Sequence, residues 1–170
     1  MKLTLAALVM LGFHTLASAQ QTQPTITVNV FDLACSTRSG AHSFSVHSWT
    51  FNAVNPPTVP AGAGAAAGRA QIFALTITKA FDECSAGLFA AVTMGKHFGK
   101  LILTQSDANG RQTEMTVQLG DVTVSNYQVG GGPGSAAPVE SIGLSFLQIT
   151  IANPQNNSQA GWDTRTNKAI

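Results

Sequence analysis

The sequence predicts a mainly β fold, an antiparallel barrel or sandwich with one flanking helix, and three observations carry that expectation. Several short runs alternate apolar with polar residues, the period-2 signature of half-buried strands. One window, residues 81–95, has helical spacing instead. The strand runs follow one another with no regular interleaving of helices, which argues against a parallel sheet.

The first nineteen residues are read separately. Lys2 precedes an apolar run from Leu3 to Leu16 and then Ala17-Ser18-Ala19, the pattern of a secretory signal peptide cleaved after Ala19. The run is too short to span a bilayer. Residues 20–170 are therefore expected to form one soluble domain in the periplasm or outside the cell, large enough to bury a core.

From Thr25 to Leu33, Ile26, Val28 and Val30 alternate with Thr25, Thr27 and Asn29 as in a half-buried strand. In "FSVHSWTF", Phe44 and Val46 share one phase and Trp49 and Phe51 the other, so either both faces are covered or a bulge shifts the register. Residues 55–70, "NPPTVPAGAGAAAGRA", show no apolar periodicity and read as a long exposed loop. "QIFALTITK" follows as a strand with Phe73, Leu75 and Ile77 on one side.

The helix comes next. Asp82 or Ser85 can accept the free N–H groups of its first turn, and Asp82 and Glu83 suit the positive end of its dipole. Cys84, Leu88, Ala91 and Val92 form the apolar stripe, widened by Phe89, and Gly95 stands where a left-handed terminating residue is wanted after about Met94. Lys96 and His97 fall beside the carbonyl end, where positive charge is favourable, so the Gly-Lys-His cluster needs no anionic ligand. A phosphate grip places its glycines before a helix N-terminus.

"KLILTQ" and "RQTEMTVQL" flank "SDANG", whose Asn109-Gly110 is a hairpin turn signal. "DVTVSNYQV" reads as a further strand and "GGGPGSAAP" as a loop. In "VESIGLSFLQITIAN" the phase shifts between Ile142, Leu144 and Phe146 and the set Leu147, Ile149 and Ile151, implying a bulge or bend.

Charge excludes one class of partner. Without Lys2, eight basic residues face eight acidic ones, and the basic residues are scattered, whereas nucleic-acid binding needs a basic face. Two cysteines remain, Cys35 and Cys84. In an oxidising compartment one bridge is the natural expectation, worth roughly 4 kcal/mol on the chain-entropy account. Two separate buried thiols are the alternative, since sequence does not show whether their α-carbons approach.

No catalytic or metal constellation is expected. His42 and His47 are five apart and point to opposite faces of a regular strand, and His97 has no neighbouring ligand in sequence. No G-x-S-x-G elbow is present, and Ser36, Ser39 and Ser135 have no base at a recognisable spacing. Cys84 at a helix start could carry a lowered thiol pKa, but its possible partner Cys35 favours a structural bridge. No cofactor is implied.

The order of these elements resembles the haemolysin-coregulated proteins (Hcp), tube proteins of the type VI secretion system. "VHSWTF" looks like that family's V-x-S-W-x-aromatic strand, and "QIFALTITKAFDECSAGLFAAVTMGKH" follows its strand, turn, helix and helix ending. "VQLGDVTVSNYQVGGGPGSAAPVESIGLSFLQITI" is similar to its strand-"DV"-strand, Gly-rich loop, "PVE" and final strand, and "GWDTRTNKA" resembles its tail. The similarity runs over residues 25–169.

The resemblance implies an antiparallel β-barrel with one flanking helix, a homohexameric ring with a wide pore, rings that stack, and small exported effector proteins as cargo. It implies neither an enzyme nor membrane insertion. Ring or stacking contacts are then expected at Pro57, Pro60, Gly62, Gly64 and Arg69 of the long loop and at Trp162 of the tail. Trp49 and Phe51 become barrel-core or lumen aromatics. The signal peptide, the paired cysteines and His47 depart from the family pattern, so the expectation is an exported relative. The alternatives are a monomeric barrel used as a binding module and, further off, a secreted hydrolase.

Overall fold

The structure, a computed structural model, describes residues 23–33, 35, 42–58 and 66–170. The expected signal peptide lies outside the described residues.

A circuit of antiparallel pairings forms the body. Strand β1 (Thr25–Val30) pairs on one side with β2 (Ser43–Val46) and on the other with β9 (His97–Ser106). From β9 the pairing passes to β10 (Thr113–Gly130), then β11 (Val139–Ser145), β8 (Leu75–Ala80) and β3 (Ser48–Thr50). β2 and β3 are one run of chain bent at His47, whose backbone N–H donates to the Thr78 carbonyl at 2.8 Å. The bend explains the phase change in "FSVHSWTF": Phe44 and Val46 are buried while paired to β1, and Trp49 is half-buried once the chain has moved to β8.

Three runs divide differently from the sequence reading. Residues 113–130 form one strand rather than two, because Asp121 at φ 51° bends the chain without ending its pairing to β9. The run from 139 to 153 is two strands, β11 and β12 (Gln148–Asn153), broken at Phe146-Leu147, so Leu147 is exposed while Ile149 is buried. In "QIFALTITK" the pairs Gln71–Ile72 (β7) and Leu75–Ala80 are separate strands, and Phe73 between them is 51% exposed rather than aligned with Leu75 and Ile77.

The long loop is also more regular than its composition predicts. Ala53–Val54 (β4) pairs with β7, and Pro57–Thr58 (β5) pairs with Ala66–Ala67 (β6). The result is a narrow two-stranded ribbon outside the main sheet. Prolines and small residues are tolerated there because each strand of a two-stranded ribbon leaves one edge unpaired. On the opposite flank of β10, β12 pairs with β13 (Ser158–Asp163), and β13 with β14 (Lys168–Ala169). The tail thus adds two strands to the sheet.

Helix α1 (Ser85–Met94) ends as expected, with Gly95 at φ 62° and its N–H bonded to the Ala91 carbonyl. A left-handed residue with no β-carbon is the unstrained choice there. Its buried face is Ser85, Leu88 and Ala91. Phe89 faces outward, 55% exposed, and meets Tyr127 edge-on at 5.7 Å, so it does not widen the buried stripe. Val28, Leu75, Ile77, Leu103, Val117, Leu119, Val122 and Ile142 form the centre of the core, all fully buried.

Candidate interaction surfaces and the buried polar cluster

Two surfaces and one buried cluster stand out. The first surface is the ribbon. Pro57 is exposed on it, while Pro60, Gly62 and Gly64 lie outside the described residues. Arg69, exposed at its return, donates to the Thr164 carbonyl at 3.2 Å and so ties the ribbon to the tail. Gly68 is fixed by close approach, since a β-carbon there would lie 2.1 Å from the backbone oxygen of Pro56. At the ribbon's base lies an open apolar groove of about 370 Å³, bounded by Phe51, Val54, Ile72, Ile149, Ile151 and Trp162. Phe51 and Trp162 thus share one surface feature.

Trp49 stacks on Phe51 with ring centroids 6.2 Å apart and donates its indole N–H to Gln105 Oε1 at 3.1 Å. Both rings are half-buried and packed against the core. The second surface is the outer side of α1 with the strands beside it, where Phe81, Phe89 and Val129 are each about half exposed around Tyr127. Among the described residues no charged side chain lines it.

Beneath that patch is a cluster the sequence reading missed. Lys79 on β8 and Glu140 on β11 are direct cross-strand partners, both fully buried, with Nζ 2.8 Å from Oε2. Lys79 also meets Asp82 Oδ1 and the Ala80 carbonyl at 2.8 Å, so three short contacts match the three N–H bonds of its ammonium. The Ser85 hydroxyl donates to Glu140 Oε2 at 2.9 Å and accepts the Asp82 N–H at 2.8 Å. Asp82 in turn accepts the Cys84 N–H at 2.8 Å just before the helix; Cys84, rather than Asp82 or Ser85, holds the N-cap position, with no side-chain cap bond. The cluster fastens the start of α1 to two barrel strands.

Ser85 and Lys79 are nucleophile and base types in contact, 3.2 Å apart, but their surroundings oppose catalysis. The serine is fully buried, and the Lys79 ammonium is taken up by contacts to Asp82 and Glu140. His42 Nδ1 lies 2.6 Å from the Leu33 carbonyl, His47 is exposed at the β2–β3 bend, and His97 is exposed at the start of β9. Among the described residues no three His, Cys, Asp or Glu side chains are grouped to hold a metal ion. Lys96 does not serve the helix carbonyls: its Nζ reaches the Asp32 carbonyl at 2.6 Å.

The cysteines are joined. Cys35 and Cys84 form a disulfide with α-carbons 4.1 Å apart, which resolves the alternative in favour of the bridge.

Tyr127, the chain's one tyrosine, donates its hydroxyl to Glu140 Oε1. Burial, and then the hydrogen bond and negative charge of Glu140, push its pKa well above the ordinary value of about 10. A raised folded-state pKa contributes stability that is present below the unfolded pKa and lost as pH rises past it. The ultraviolet phenolate band is therefore expected to stay absent through about pH 10 and to appear only as the protein unfolds in stronger alkali. A reversible phenolate titration near pH 10 in the folded protein would refute this placement of Tyr127.

The topology and the ribbon define a known class, the barrel proteins of type VI secretion. Residues 34–152 match the family described as "Type VI secretion system effector, Hcp", and the chain belongs to that family. Its fold is similar to Hcp1 from Salmonella typhimurium, with 24% identity, TM-score 0.70, and 86% of this chain and 99% of that one covered. It is likewise similar to a structure described as a type six secretion system protein, at 23% identity and TM-score 0.73 over 86% and 99% of the two chains. For the secreted protein Hcp3 from Pseudomonas aeruginosa the values are 15%, 0.60, 82% and 96%. A sequence search of curated proteins finds no match.

Proposed function

We propose that this chain is an exported, non-enzymatic Hcp that assembles with itself into a homohexameric ring and binds or conveys small exported proteins. Family membership supports the tube class. The observation that supports self-assembly is the ribbon: it pairs apart from the main sheet, and an apolar groove lies at its own base. A projection on one side of a subunit that meets a groove on the next repeats head-to-tail, and closes into a ring when the rotation permits. Pro57 and Arg69 then fall on the projection and Trp162 at the groove, and Pro60, Gly62 and Gly64, outside the described residues, are proposed for the same contact on their place in the sequence.

The disulfide supports a role outside the reducing cytoplasm. No helix among the described residues is long and apolar enough to cross a membrane. The groove also favours a second reading, a monomeric module that holds an apolar ligand there.

Light scattering behind a sizing column separates the two. The expected result is a hexameric mass for the protein and a monomeric mass for Gly68→Val, whose β-carbon would meet the Pro56 backbone oxygen and force the ribbon apart at a cost in stability, while circular dichroism still shows the folded sheet. A monomer at high concentration would sink the ring. A hexamer that survives Gly68→Val would remove the ribbon from its contacts.

A further inference from the structure

We propose that Phe31–Leu33 and Cys35, which follow β1, act as a strap tied to both ends of α1 and latched by oxidation of Cys35 and Cys84, so that α1 is held firmly on the barrel only in the oxidised chain. The strap is pinned at both ends of the helix. Just past the C-terminal end, Lys96 Nζ holds the Asp32 carbonyl at 2.6 Å. Three residues further along the strap, Cys35 is bonded to Cys84, the residue at the N-cap position of the helix. Between the pins Leu33 is 1% exposed within the core, and its carbonyl meets His42 Nδ1 at 2.6 Å.

The helix needs this help. Ten residues are too few for a helix to persist in water by itself, and α1 buries one large apolar side chain, Leu88, beside Ala91, Ser85 and the capping Cys84. Val92 and the Phe89–Tyr127 contact add partly buried packing, and the polar cluster reaches the helix through the Cys84 N–H and the Ser85 hydroxyl. Bridge and cluster therefore act on the same helix end. Freeing Cys84 loosens the residue through which Asp82 and Lys79 grip the backbone.

Closure is a thiol–disulfide exchange with an oxidant that itself carries a disulfide. One cysteine thiolate attacks that disulfide and releases the first thiol; the second cysteine thiolate then displaces the mixed disulfide and releases the second. Two electrons and two protons pass from the cysteines to the oxidant. Once closed, the sulfurs belong to residues only 7% and 1% exposed, so a reductant gains access only when the strap lifts. The latch is set once and is insulated thereafter.

Hydrogen exchange of the purified protein, oxidised and after phosphine reduction, tests the proposal independently of any ring. Amides of residues 85–94 are expected to exchange faster in the reduced protein by on the order of tenfold or more, while amides of 101–105 and 115–119 stay protected. The double variant Cys35→Ser/Cys84→Ser is expected to behave as the reduced protein does. Equal protection of α1 in all forms would overturn the latch. Loss of protection throughout the barrel on reduction would overturn it too, since the bridge would then be a global staple.

Discussion

Lys79→Met is expected to lower the unfolding free energy by about 3–5 kcal/mol, the range for removing one partner of a buried ion pair. The cause is the carboxylate left behind. Glu140 is fully buried, and without Lys79 its charge keeps only the hydroxyls of Ser85 and Tyr127. Hydrogen bonds alone do not repay the desolvation of an ion. The double variant Lys79→Met/Glu140→Gln should recover most of the loss, because a neutral amide accepts the Tyr127 hydroxyl at its oxygen, donates from its NH2 group to the Ser85 oxygen, and needs no counter-charge. Denaturant unfolding at neutral pH measures both. A single variant within about 0.5 kcal/mol of the parent, or a double variant no better than the single, would show that the pair does not hold α1 to the barrel.

That pair shows what was legible in the sequence and what was overlooked. In "LTITKA" Lys79 stands in phase with Leu75 and Ile77, and in "VESIGLS" Glu140 stands in phase with Ile142 and Leu144. All six are buried. A charged residue on the core side of each of two strands signals a buried pair, and the period-2 argument that found the strands contains that signal. Which lysine meets which carboxylate was not legible, because the β8–β11 register joins residues about sixty positions apart. The helix, its Gly95 ending and the Asn109-Gly110 turn were legible because each depends on neighbours in sequence. The ribbon was hidden because pairings only two residues long leave no apolar period to read. The strap was hidden for a similar reason: Lys96 lies next to the helix end, and only the fold brings Asp32 there.

The sequence's aromatic residues invite the opposite error, and a matched pair of variants measures it. Phe73 and Leu75 share a phase in "QIFALTITK", yet the chain between them belongs to no strand, so Leu75 is fully buried and Phe73 is 51% exposed. Leu75→Ala is expected to cost about 2–5 kcal/mol, the lost transfer energy of the side chain plus the cavity it leaves beside Ile77 and Leu144. Phe73→Ala removes a larger side chain and is expected to cost less than about 0.5 kcal/mol in the monomer, because the ring already meets water. Equal costs would mean that Phe73 is packed inward and that the strand runs unbroken from Gln71 to Ala80. If Phe73→Ala leaves unfolding unchanged and lowers the native mass, that exposed ring belongs to the contact between subunits. An exposed phenylalanine at the foot of the ribbon is then a matter of assembly, and the buried leucine two residues on a matter of folding.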